Sequence, residues 1–199
     1  MTSRLVVLIS GNGSNLQAIL DACVIGELPA QVVSVISNKA DAYGLVRASK
    51  AGVQAIYFPT EPKESREDYD ARLAACVSAS LPDYVILAGW MRILSFAFLS
   101  SFPKRVINLH PALPGMFPGT HAIARAYTAF QRGEIENTGV MVHLVPDEGV
   151  DNGPVLGLQE IHFVVGESLE QFETRVHEVE HKLLVKTLKN IVKENKRSA

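Results

Sequence analysis

Two polar side chains interrupt an apolar segment in the middle of the chain. Residues 106–109 are predicted to form a buried strand, which contains Asn108 and is followed by His110 and Pro111. Residues two apart on an extended chain point to the same side, so Asn108 and His110 are expected to lie together. An amide N–H and a protonated imidazole can both donate hydrogen bonds to a developing oxyanion. The alternative is a strand end whose polar groups bond to loop backbone.

Further ionisable residues lie in a glycine-rich segment nearer the C-terminus. Residues 146–154 contain three carboxylates, those of Asp147, Glu148 and Asp151. The segment is compatible with a solvated turn, with a cation site, or with a loop that sets one carboxylate against His110. In the last case the carboxylate would orient the imidazole and favour its protonated form.

A glycine loop near the N-terminus has the features of an anion site. Residues 4–9 are predicted to form a buried strand and residues 15–25 a helix, and the loop 11–15 joins them. The free N–H groups and the dipole of a helix N-terminus attract phosphate. Leu16 stands where a dinucleotide fingerprint has its third glycine, so a single phosphate fits better than a pyrophosphate. The alternative is a tight turn that needs a positive φ.

An apolar cluster that surrounds one arginine follows the strand predicted at residues 84–88. Its members are Gly89, Trp90, Met91, Arg92, Ile93 and Leu94. Helical packing would explain the cluster, and so would a loop wall for a flat heterocyclic ligand. In open α/β sheets, ligands bind beyond the carboxyl ends of the strands, which is where this cluster lies.

One motif near the C-terminus resembles part of a zinc site. His177 and His181 form an H-E-x-x-H pattern on a helix predicted at residues 168–193. Glu194 is the only carboxylate beyond the pair, and it lies at the end of the same helix. We therefore predict no metal at this motif. Glu180 is expected instead to turn inward, towards the hydroxyl groups of a ligand.

The order of the predicted elements indicates an α/β fold. Alternating strands and helices favour a mostly parallel twisted sheet, flanked by helices on both faces, with a Rossmann-like N-terminal half. The predicted strands cover residues 4–9, 30–37, 54–58, 84–88, 106–109, 138–145 and 155–165. The predicted helices cover residues 15–25, 43–51, 67–81, 121–132 and 168–193.

Composition and charge narrow the class of protein. The 199 residues suffice for one domain with a sizeable core, and 47% hydrophobic and 20% charged residues are typical of a soluble globular protein. A net charge of -2 does not indicate the excess of basic residues that is typical of proteins binding nucleic acid or membrane surfaces. Cys23 and Cys76 match neither a disulfide framework nor a zinc site. We therefore predict a cytoplasmic protein with small-molecule ligands and neither nucleic-acid nor membrane partners.

Five segments together resemble one family, the phosphoribosylglycinamide formyltransferases of folate-dependent purine biosynthesis. They lie at residues 6–18, 37–42, 87–94, 108–111 and 147–154, with the sequences VVLISGNGSNLQA, SNKADA, LAGWMRIL, NLHP and DEGVDNGP. No single segment is specific, but the set is, and it spreads over almost the whole chain. The length resembles that of the stand-alone enzyme of this family.

The resemblance implies an activity and a set of site residues. A formyl group would pass from the co-substrate 10-formyltetrahydrofolate to the amine of glycinamide ribonucleotide, without a metal. The implied catalytic trio is Asn108, His110 and Asp151. The residues implied to bind the acceptor are Gly13, Ser14, Asn15 and Glu180. The residues implied to bind folate are Arg66, Met91, Arg92, Ile93, Leu94 and Asn108.

The resemblance also implies a domain organisation. Residues 1–199 would form one formyltransferase domain, with a nucleotide-binding half at about 1–105, a catalytic and folate-binding half at about 106–192, and a frayed polar tail at 193–199. A monomer and a homodimer are both compatible with this organisation.

Other functions stay open at this point. A 10-formyltetrahydrofolate hydrolase or a tRNA-directed formyltransferase would share the folate chemistry, but such proteins usually carry an additional domain. The loop 11–15 favours a small phosphorylated acceptor over water or tRNA. A non-catalytic nucleotide-binding module would account for that loop, but it would leave the trio unexplained.

Overall fold

One seven-stranded sheet organises the fold, which a computed structural model describes for residues 2–198, with side chains for residues 2–194. The strands are β1 (Ser3–Ile9), β2 (Ala30–Ser37), β3 (Gln54–Tyr57), β4 (Tyr84–Leu87), β5 (Val106–His110), β6 (Asn137–Leu144) and β7 (Val155–His162). The helices are α1 (Ser14–Val24), α2 (Tyr43–Lys50), α3 (Arg66–Ser78), α4 (Phe96–Leu99), α5 (Ala122–Gln131) and α6 (Leu169–Ser198).

The sheet is parallel over five strands and antiparallel at one edge. Its order is β3-β2-β1-β4-β5-β6-β7. The pairs among the first five strands are parallel, whereas β6 pairs antiparallel with both β5 and β7. The predicted α/β fold is therefore confirmed. The chain moves from β1 towards one edge and then returns to β4, which creates a switch point between β1 and β4 where ligands commonly bind.

Helices cover both faces of the sheet, as the strand pattern requires. Alternate residues of a strand point to opposite faces. In β1, Leu5, Val7 and Ile9 enter the core that contains α1 and α6, whereas Val6 and Leu8 enter the core that contains α3 and α4. All five are fully buried. The central strand is thus fixed on both faces, and only its end is free to contribute to a site.

The ends of several elements differ from the sequence prediction. The short helix α4 was not predicted, and β7 ends at His162 rather than at residue 165. The start of α6 is a capping box, in which the Ser168 N–H donates to Gln171 Oε1 at 2.9 Å and the Gln171 N–H donates to Ser168 Oγ at 3.3 Å. α6 extends to Ser198, and the tail predicted at 193–199 lies largely outside the described side chains. None of the described helices is long and apolar enough to cross a membrane.

Both cysteines are free thiols in partly buried positions. Burial raises the pKa of the Cys23 thiol to about 11 and also raises the pKa of Cys76. Since the thiolate is the reactive form, neither residue is suited to act as a nucleophile at neutral pH. Their role is apolar packing.

Candidate active site

Three neighbouring strands end at the site. The loop 11–15 follows β1, the apolar cluster follows β4, and β5 ends at His110. Ser10 joins the first two segments, because its N–H donates to the Gly89 carbonyl at 2.9 Å and its Oγ accepts from the Met91 N–H at 2.9 Å. The predicted site segments therefore meet at one edge of the sheet, beside the switch point.

The structure brings the predicted trio together around one carboxylate. Asp151 Oδ2 lies 3.2 Å from His110 Nδ1, and Asp151 Oδ1 accepts a hydrogen bond from Asn108 Nδ2 at 3.0 Å. Asn108 and His110 belong to β5, whereas Asp151 belongs to the loop between β6 and β7. The expectation that a carboxylate of the acidic segment lies against His110 is confirmed.

His143 is a fourth member of this cluster, which the sequence reasoning missed. It is buried on β6, directly opposite Asn108 in the antiparallel pair. Its Nδ1 lies 2.8 Å from the Leu144 carbonyl, which can only accept, so Nδ1 carries the proton. Its Nε2 lies 3.1 Å from Asn108 Nδ2 and 3.6 Å from Asp151 Oδ1. The Asn108 amide is therefore held between His143 and Asp151. The sequence showed only a histidine inside a predicted strand, without its partner.

Asp151 has a left-handed backbone conformation, with φ 52°. Side chains rarely adopt this region, although aspartate tolerates it better than most. The carboxylate is fixed by its partners: besides Asn108 and His110, the Gly119 N–H donates to Oδ2 at 2.8 Å. Gly119 closes the loop 112–119 that follows β5. One side chain therefore joins the two loops that carry the C-terminal part of the site.

His110 is more buried than the sequence argument assumed. With its side chain 4% exposed, burial lowers the pKa of His110 below the ordinary value, although the charge of Asp151 and the Met116 carbonyl act to raise it. Asp151 favours the protonated ring, as expected, but burial outweighs this effect and the net pKa of His110 is lowered. Both ring nitrogens still face acceptors, Asp151 Oδ2 at 3.2 Å and the Met116 carbonyl at 3.3 Å. A neutral ring in this position is set to take up a proton.

Asp151 itself stays ionised. Burial raises the pKa of its carboxyl group, but His143, the Gly119 N–H and His110 together outweigh that effect and hold the pKa below the ordinary value. A charged carboxylate accepts hydrogen bonds and donates none. Its oxygens can therefore hold the Asn108 amide and the Nδ1–H of His110 in fixed directions.

A cavity of about 440 Å³, called the apolar cavity below, opens beside the trio. This volume is within the range of small-molecule sites. Five of the six residues predicted to bind folate line it: Met91, Arg92, Ile93, Leu94 and Asn108. Met91 and Ile93 are 60% and 48% exposed, so they are not there as core packing. The apolar cluster after β4 is therefore a cavity wall rather than a packed helix.

Arg66, the sixth residue, does not line the apolar cavity. Its guanidinium forms an ion pair with Glu148 and lies 3.3 Å from Glu67. Glu148 also accepts a hydrogen bond from the Phe96 N–H at 2.9 Å. Glu148 lies in the same loop as Asp151, so these contacts tie that loop to the starts of α3 and α4. For Arg66 to bind a folate, it would have to exchange Glu148 for a carboxylate of the ligand.

A second cavity of about 430 Å³, called the loop pocket below, lies between the loop 11–15 and α6. All four residues predicted to bind the acceptor line it: Gly13, Ser14, Asn15 and Glu180. Gly13, with φ 74°, is the N-cap of α1, so a positive φ is required there in addition to the anion-site geometry. Among the described residues, the buried Oδ1 of Asn15 has no hydrogen-bond partner. A buried oxygen without a hydrogen-bond partner costs folding free energy, so this atom indicates a site for a bound ligand or water.

Arg47, on α2, holds the loop 11–15 in place. Its guanidinium donates to the Asn12 carbonyl at 2.9 Å, to Asn12 Oδ1 at 2.9 Å and to Gln17 Oε1 at 3.1 Å. The shape of the loop is thus preset. The sequence reasoning missed Arg47, because nothing local links α2 to the loop 11–15.

Two glycines bring the loop 11–15 and α2 into direct contact. A Cβ on Gly13 would lie 2.8 Å from the Cα of Gly44. A Cβ on Gly44 would collide with Cδ1 of Ile9. Since real Cβ atoms essentially never approach another heavy atom so closely, the first turn of α2 can pack here only against glycine.

The two cavities share a wall. Six residues line both of them: Gly89, Met91, Leu109, Pro111, His121 and Ala122. The wall stands at the ends of β4 and β5, next to Asn108 and His110. Ligands bound in the two cavities would therefore meet beside the trio. This arrangement fits the transfer of a group between two small molecules better than the binding of one nucleotide.

The H-E-x-x-H motif forms a hydrogen-bonded pair on α6. His177 Nδ1 lies 2.6 Å from Glu180 Oε2, and Glu180 is buried at the loop pocket. Among the side chains described, those of residues 2–194, no group of three His, Cys, Asp or Glu is arranged to hold a metal ion. The expected inward orientation of Glu180 is confirmed.

Comparison with known proteins identifies one family. A family model described as formyl transferase matches residues 3–188. A protein of Schizosaccharomyces pombe named phosphoribosylglycinamide formyltransferase is 45% identical, with 98% of this chain and 100% of the relative covered. The protein of that name from Escherichia coli is 44% identical, with 89% of this chain and 82% of the relative covered.

A solved structure of similar fold agrees with these matches. The glycinamide ribonucleotide transformylase 1 of Symbiobacterium toebii superposes with a TM-score of 0.90 at 39% identity, covering 97% of this chain and 89% of that one. At this identity and coverage, the likeness extends over almost the whole chain.

Proposed function

The chain belongs to the formyl transferase family, and from that premise we propose that it formylates glycinamide ribonucleotide with 10-formyltetrahydrofolate as the donor. The products are formylglycinamide ribonucleotide and tetrahydrofolate, and the reaction is a step of de novo purine biosynthesis. The folate is a co-substrate, and the reaction uses no metal. The observation that carries the proposal is the shared wall, because a formyl transfer needs two small molecules to meet at one set of polar groups.

Each substrate suits one cavity. The apolar cavity fits the heterocycle of the folate, against Met91, Arg92, Ile93 and Leu94, with Asn108 at the reacting end. The loop pocket fits the ribonucleotide, with its phosphate on Gly13, Ser14 and Asn15 and its ribose hydroxyls on Glu180. A carboxylate is an acceptor for hydroxyl groups, whereas the helix N-terminus supplies N–H donors for phosphate.

The nucleophile is the amine of the acceptor, so the reaction needs no side-chain nucleophile. The amine attacks the formyl carbon, and the carbonyl oxygen becomes an oxyanion. The bond between that carbon and N10 of the folate then breaks, as one proton leaves the amine and one reaches N10. His110 is neutral at the outset because of its burial, so it can accept the first proton and later return one towards N10.

Asn108 acts on the oxyanion. One of its two amide hydrogens must leave His143 or Asp151 to donate to that oxygen. Once His110 has taken up a proton, its positive charge also stabilises the oxyanion. Asp151 is then the acceptor that holds the imidazolium at Nδ1.

The wider organisation of the chain is part of the proposal. We infer a single formyltransferase domain, because the predicted nucleotide-binding and folate-binding halves share one sheet and one pair of adjoining cavities. A cytoplasmic location and a monomeric or homodimeric state stay predictions from the sequence.

The decisive experiment measures formyl transfer from 10-formyltetrahydrofolate to three acceptors: glycinamide ribonucleotide, water and tRNA. We expect rapid formation of formylglycinamide ribonucleotide and only background rates with the other two. Comparable release of formate without ribonucleotide would indicate a hydrolase, and formylation of tRNA would indicate a tRNA-directed enzyme. Binding of the ribonucleotide without any transfer would indicate a non-catalytic module.

A further inference from the structure

The pair formed by His177 and Glu180 introduces a titratable charge into the loop pocket. Both residues line that pocket, together with the loop 11–15. The Glu180 side chain is 6% exposed, whereas that of His177 is 48% exposed. The carboxylate is thus the more fixed part of the pair, and the imidazole is the part more open to a ligand.

The hydrogen bond determines where the imidazole carries its proton. An ionised carboxylate only accepts, so the 2.6 Å contact requires a hydrogen on Nδ1 of His177. Within the described residues, Nε2 makes no hydrogen bond. The neutral ring therefore offers a lone pair at Nε2, and the imidazolium offers a second N–H. The net charge of the pair is -1 in the first state and zero in the second.

We propose that His177 is a further acceptor-binding residue, which neutralises Glu180 and presents Nε2–H to the phosphoribosyl group of the acceptor. The proposal rests on the proposed function, since the acceptor carries a phosphate with a charge of roughly -1.5 to -2. An uncompensated Glu180 would repel that phosphate, whereas a neutral pair would still bind hydroxyl groups through the free lone pairs of the carboxylate. Recognition of the ribose and tolerance of the phosphate are thereby combined in two side chains.

The surroundings of His177 favour its protonated state. The hydrogen bond from His177 to Glu180 raises the pKa of the imidazole above its ordinary value, against the opposing effect of burial, and the charge of Glu173 adds to the rise. The loop 11–15 carries no titratable side chain. The other titratable or charged groups close to the pair or on the same pocket are His121, Glu178, His181 and Arg47.

The proposal predicts a direction for the effect of pH on acceptor binding. Below the raised pKa, His177 is charged and the pair is neutral, so the acceptor binds best. As the pH rises through that pKa, the pair becomes negative and the acceptor binds less tightly. The phosphate and amine of the acceptor titrate as well, but they contribute equally to any two variants measured with the same acceptor.

The test compares the Michaelis constant for the acceptor in the parent and in His177→Asn between pH 6 and pH 9. Asparagine keeps a neutral donor towards Glu180 and removes the charge. We expect the variant to have a constant about fivefold higher than the parent at pH 6, the scale of a partly exposed charge pair, and the two to converge at pH 9. The Michaelis constant for folate should change little at any pH.

A matched control lies outside both cavities. His162 on β7 also has a glutamate neighbour, with Nε2 3.9 Å from Glu160 Oε1, but its side chain is 79% exposed. His162→Asn should leave the Michaelis constant for the acceptor at the parental value throughout. A ratio for His177→Asn that stays at one across the pH range, or that equals the ratio for His162→Asn, would overturn the proposal.

A binding measurement separates this proposal from the proposed function. Ribose 5-phosphate carries the hydroxyl and phosphate groups but cannot be formylated, so calorimetric titration with it does not depend on catalysis. Tighter binding to the parent than to His177→Asn at pH 6, with no difference at pH 9, would support His177 even if the parent transferred no formyl group. Equal binding at both pH values would refute the role of His177 and leave the formyl transfer intact.

Discussion

The trio and the loop pocket each contain a histidine beside a carboxylate, yet the two histidines differ in protonation. His110 Nδ1 lies 3.2 Å from Asp151, and His177 Nδ1 lies 2.6 Å from Glu180. The pKa of His110 is lowered, whereas the pKa of His177 is raised.

Exposure explains the difference. The His110 side chain is 4% exposed, and its loss of hydration is the largest effect on its pKa. The His177 side chain is 48% exposed, and its hydrogen bond with Glu180 is the largest effect. A carboxylate neighbour therefore does not by itself decide whether a histidine is charged, because loss of hydration on burial disfavours the charged ring. The buried ring can accept a proton during a reaction, and the exposed ring can hold one before it.

The two regions should then respond differently to substitution. Substitutions in the trio should change turnover, and substitutions in the loop pocket should change binding of the acceptor.

The largest effect is expected for Asn108→Ala, which removes an oxyanion donor. Such a loss typically costs about 10²–10³ in turnover, which should far exceed any rise in either Michaelis constant. Steady-state kinetics with both substrates varied would measure it.

The control for this substitution is Asn137→Ala at the far end of β6, where the side chain donates to Glu160 outside both cavities. It should keep parental turnover. If Asn108→Ala lowered the melting temperature and kept full activity per folded molecule, Asn108 would be structural and the contrast between the regions would fail.

The next effect concerns what Asp151 does for His110. We expect Asp151→Asn to lose at least roughly 10²-fold in turnover, the scale of a positioned acid–base group. Because the ring is neutral in the resting state, the role of Asp151 is to hold it and both loops in position, so acidification should not restore activity. A pH–rate profile beside that of the parent, with folding checked at each pH, would measure this.

Asp83→Asn serves as the control, because Asp83 lies outside both cavities and its Oδ2 accepts from the Arg4 N–H at 2.8 Å. An asparagine keeps that acceptor, so parental turnover is expected. Near-parental turnover of Asp151→Asn at acidic pH would mean that the charge of His110, rather than its position, had been lost.

A smaller effect, confined to the acceptor, is expected for Gly13→Val. A side chain on Gly13 would press on the main chain of Gly44, distort the loop proposed to bind the phosphate, and strain a residue with φ 74°. We expect the Michaelis constant for the ribonucleotide to rise on the order of tenfold, about 1.4 kcal/mol, with folate binding nearly unchanged. Titration with each ligand would test this.

Gly26→Val provides the matched control for backbone strain. Gly26 has nearly the same φ, 75°, but a Cβ there would meet no atom within 4 Å. Gly26→Val should lower stability without changing either Michaelis constant. If Gly13→Val weakened both ligands equally, the assignment of the loop 11–15 to the acceptor would be wrong.

The comparison of the two histidines can be tested without any change in sequence. In NMR titrations of the rings, His110 should titrate below about 6.5 and His177 above it. The two residues then contribute to stability with opposite signs. The contribution of His110 is lost as the pH falls below about 6.5, whereas that of His177 is complete below about 6.5 and is lost as the pH rises through its raised pKa. If both pKa values were shifted in the same direction, the proposed difference in protonation between His110 and His177 would be wrong.

The parts of the site that lie within one contiguous segment could be predicted from the sequence. The loop 11–15 consists of a strand end, glycines and a helix start, so local pattern alone indicates an anion site. Asn108 and His110 share a side because of the period of two in a strand. The sequence of the cluster after β4 was compatible with a packed helix and with a loop wall for a ligand. The exposure of Met91 in the structure favours the loop wall.

The parts that depend on distant segments could not be predicted. His143 meets Asn108 only through the antiparallel register of β5 and β6, and no local signal fixes a register. The contact of Arg47 with Asn12 depends on how α2 docks. The pKa of His110 depends also on the atoms that exclude water from it, so the sequence indicated the effect of Asp151 but not the burial that outweighs it.

The contact between Gly13 and Gly44 has a consequence for how this protein can evolve. The obstacle to a side chain on Gly44 is Cδ1 of Ile9, the far end of a side chain, so Ile9→Val offers a second-site revertant for Gly44→Ala. The obstacle to a side chain on Gly13 is the main chain of Gly44, and its positive φ adds to the cost. No single replacement elsewhere removes that obstacle. A selection for restored function should therefore readily recover second-site suppressors of Gly44→Ala. For a substitution of Gly13, it should recover only reversion to glycine.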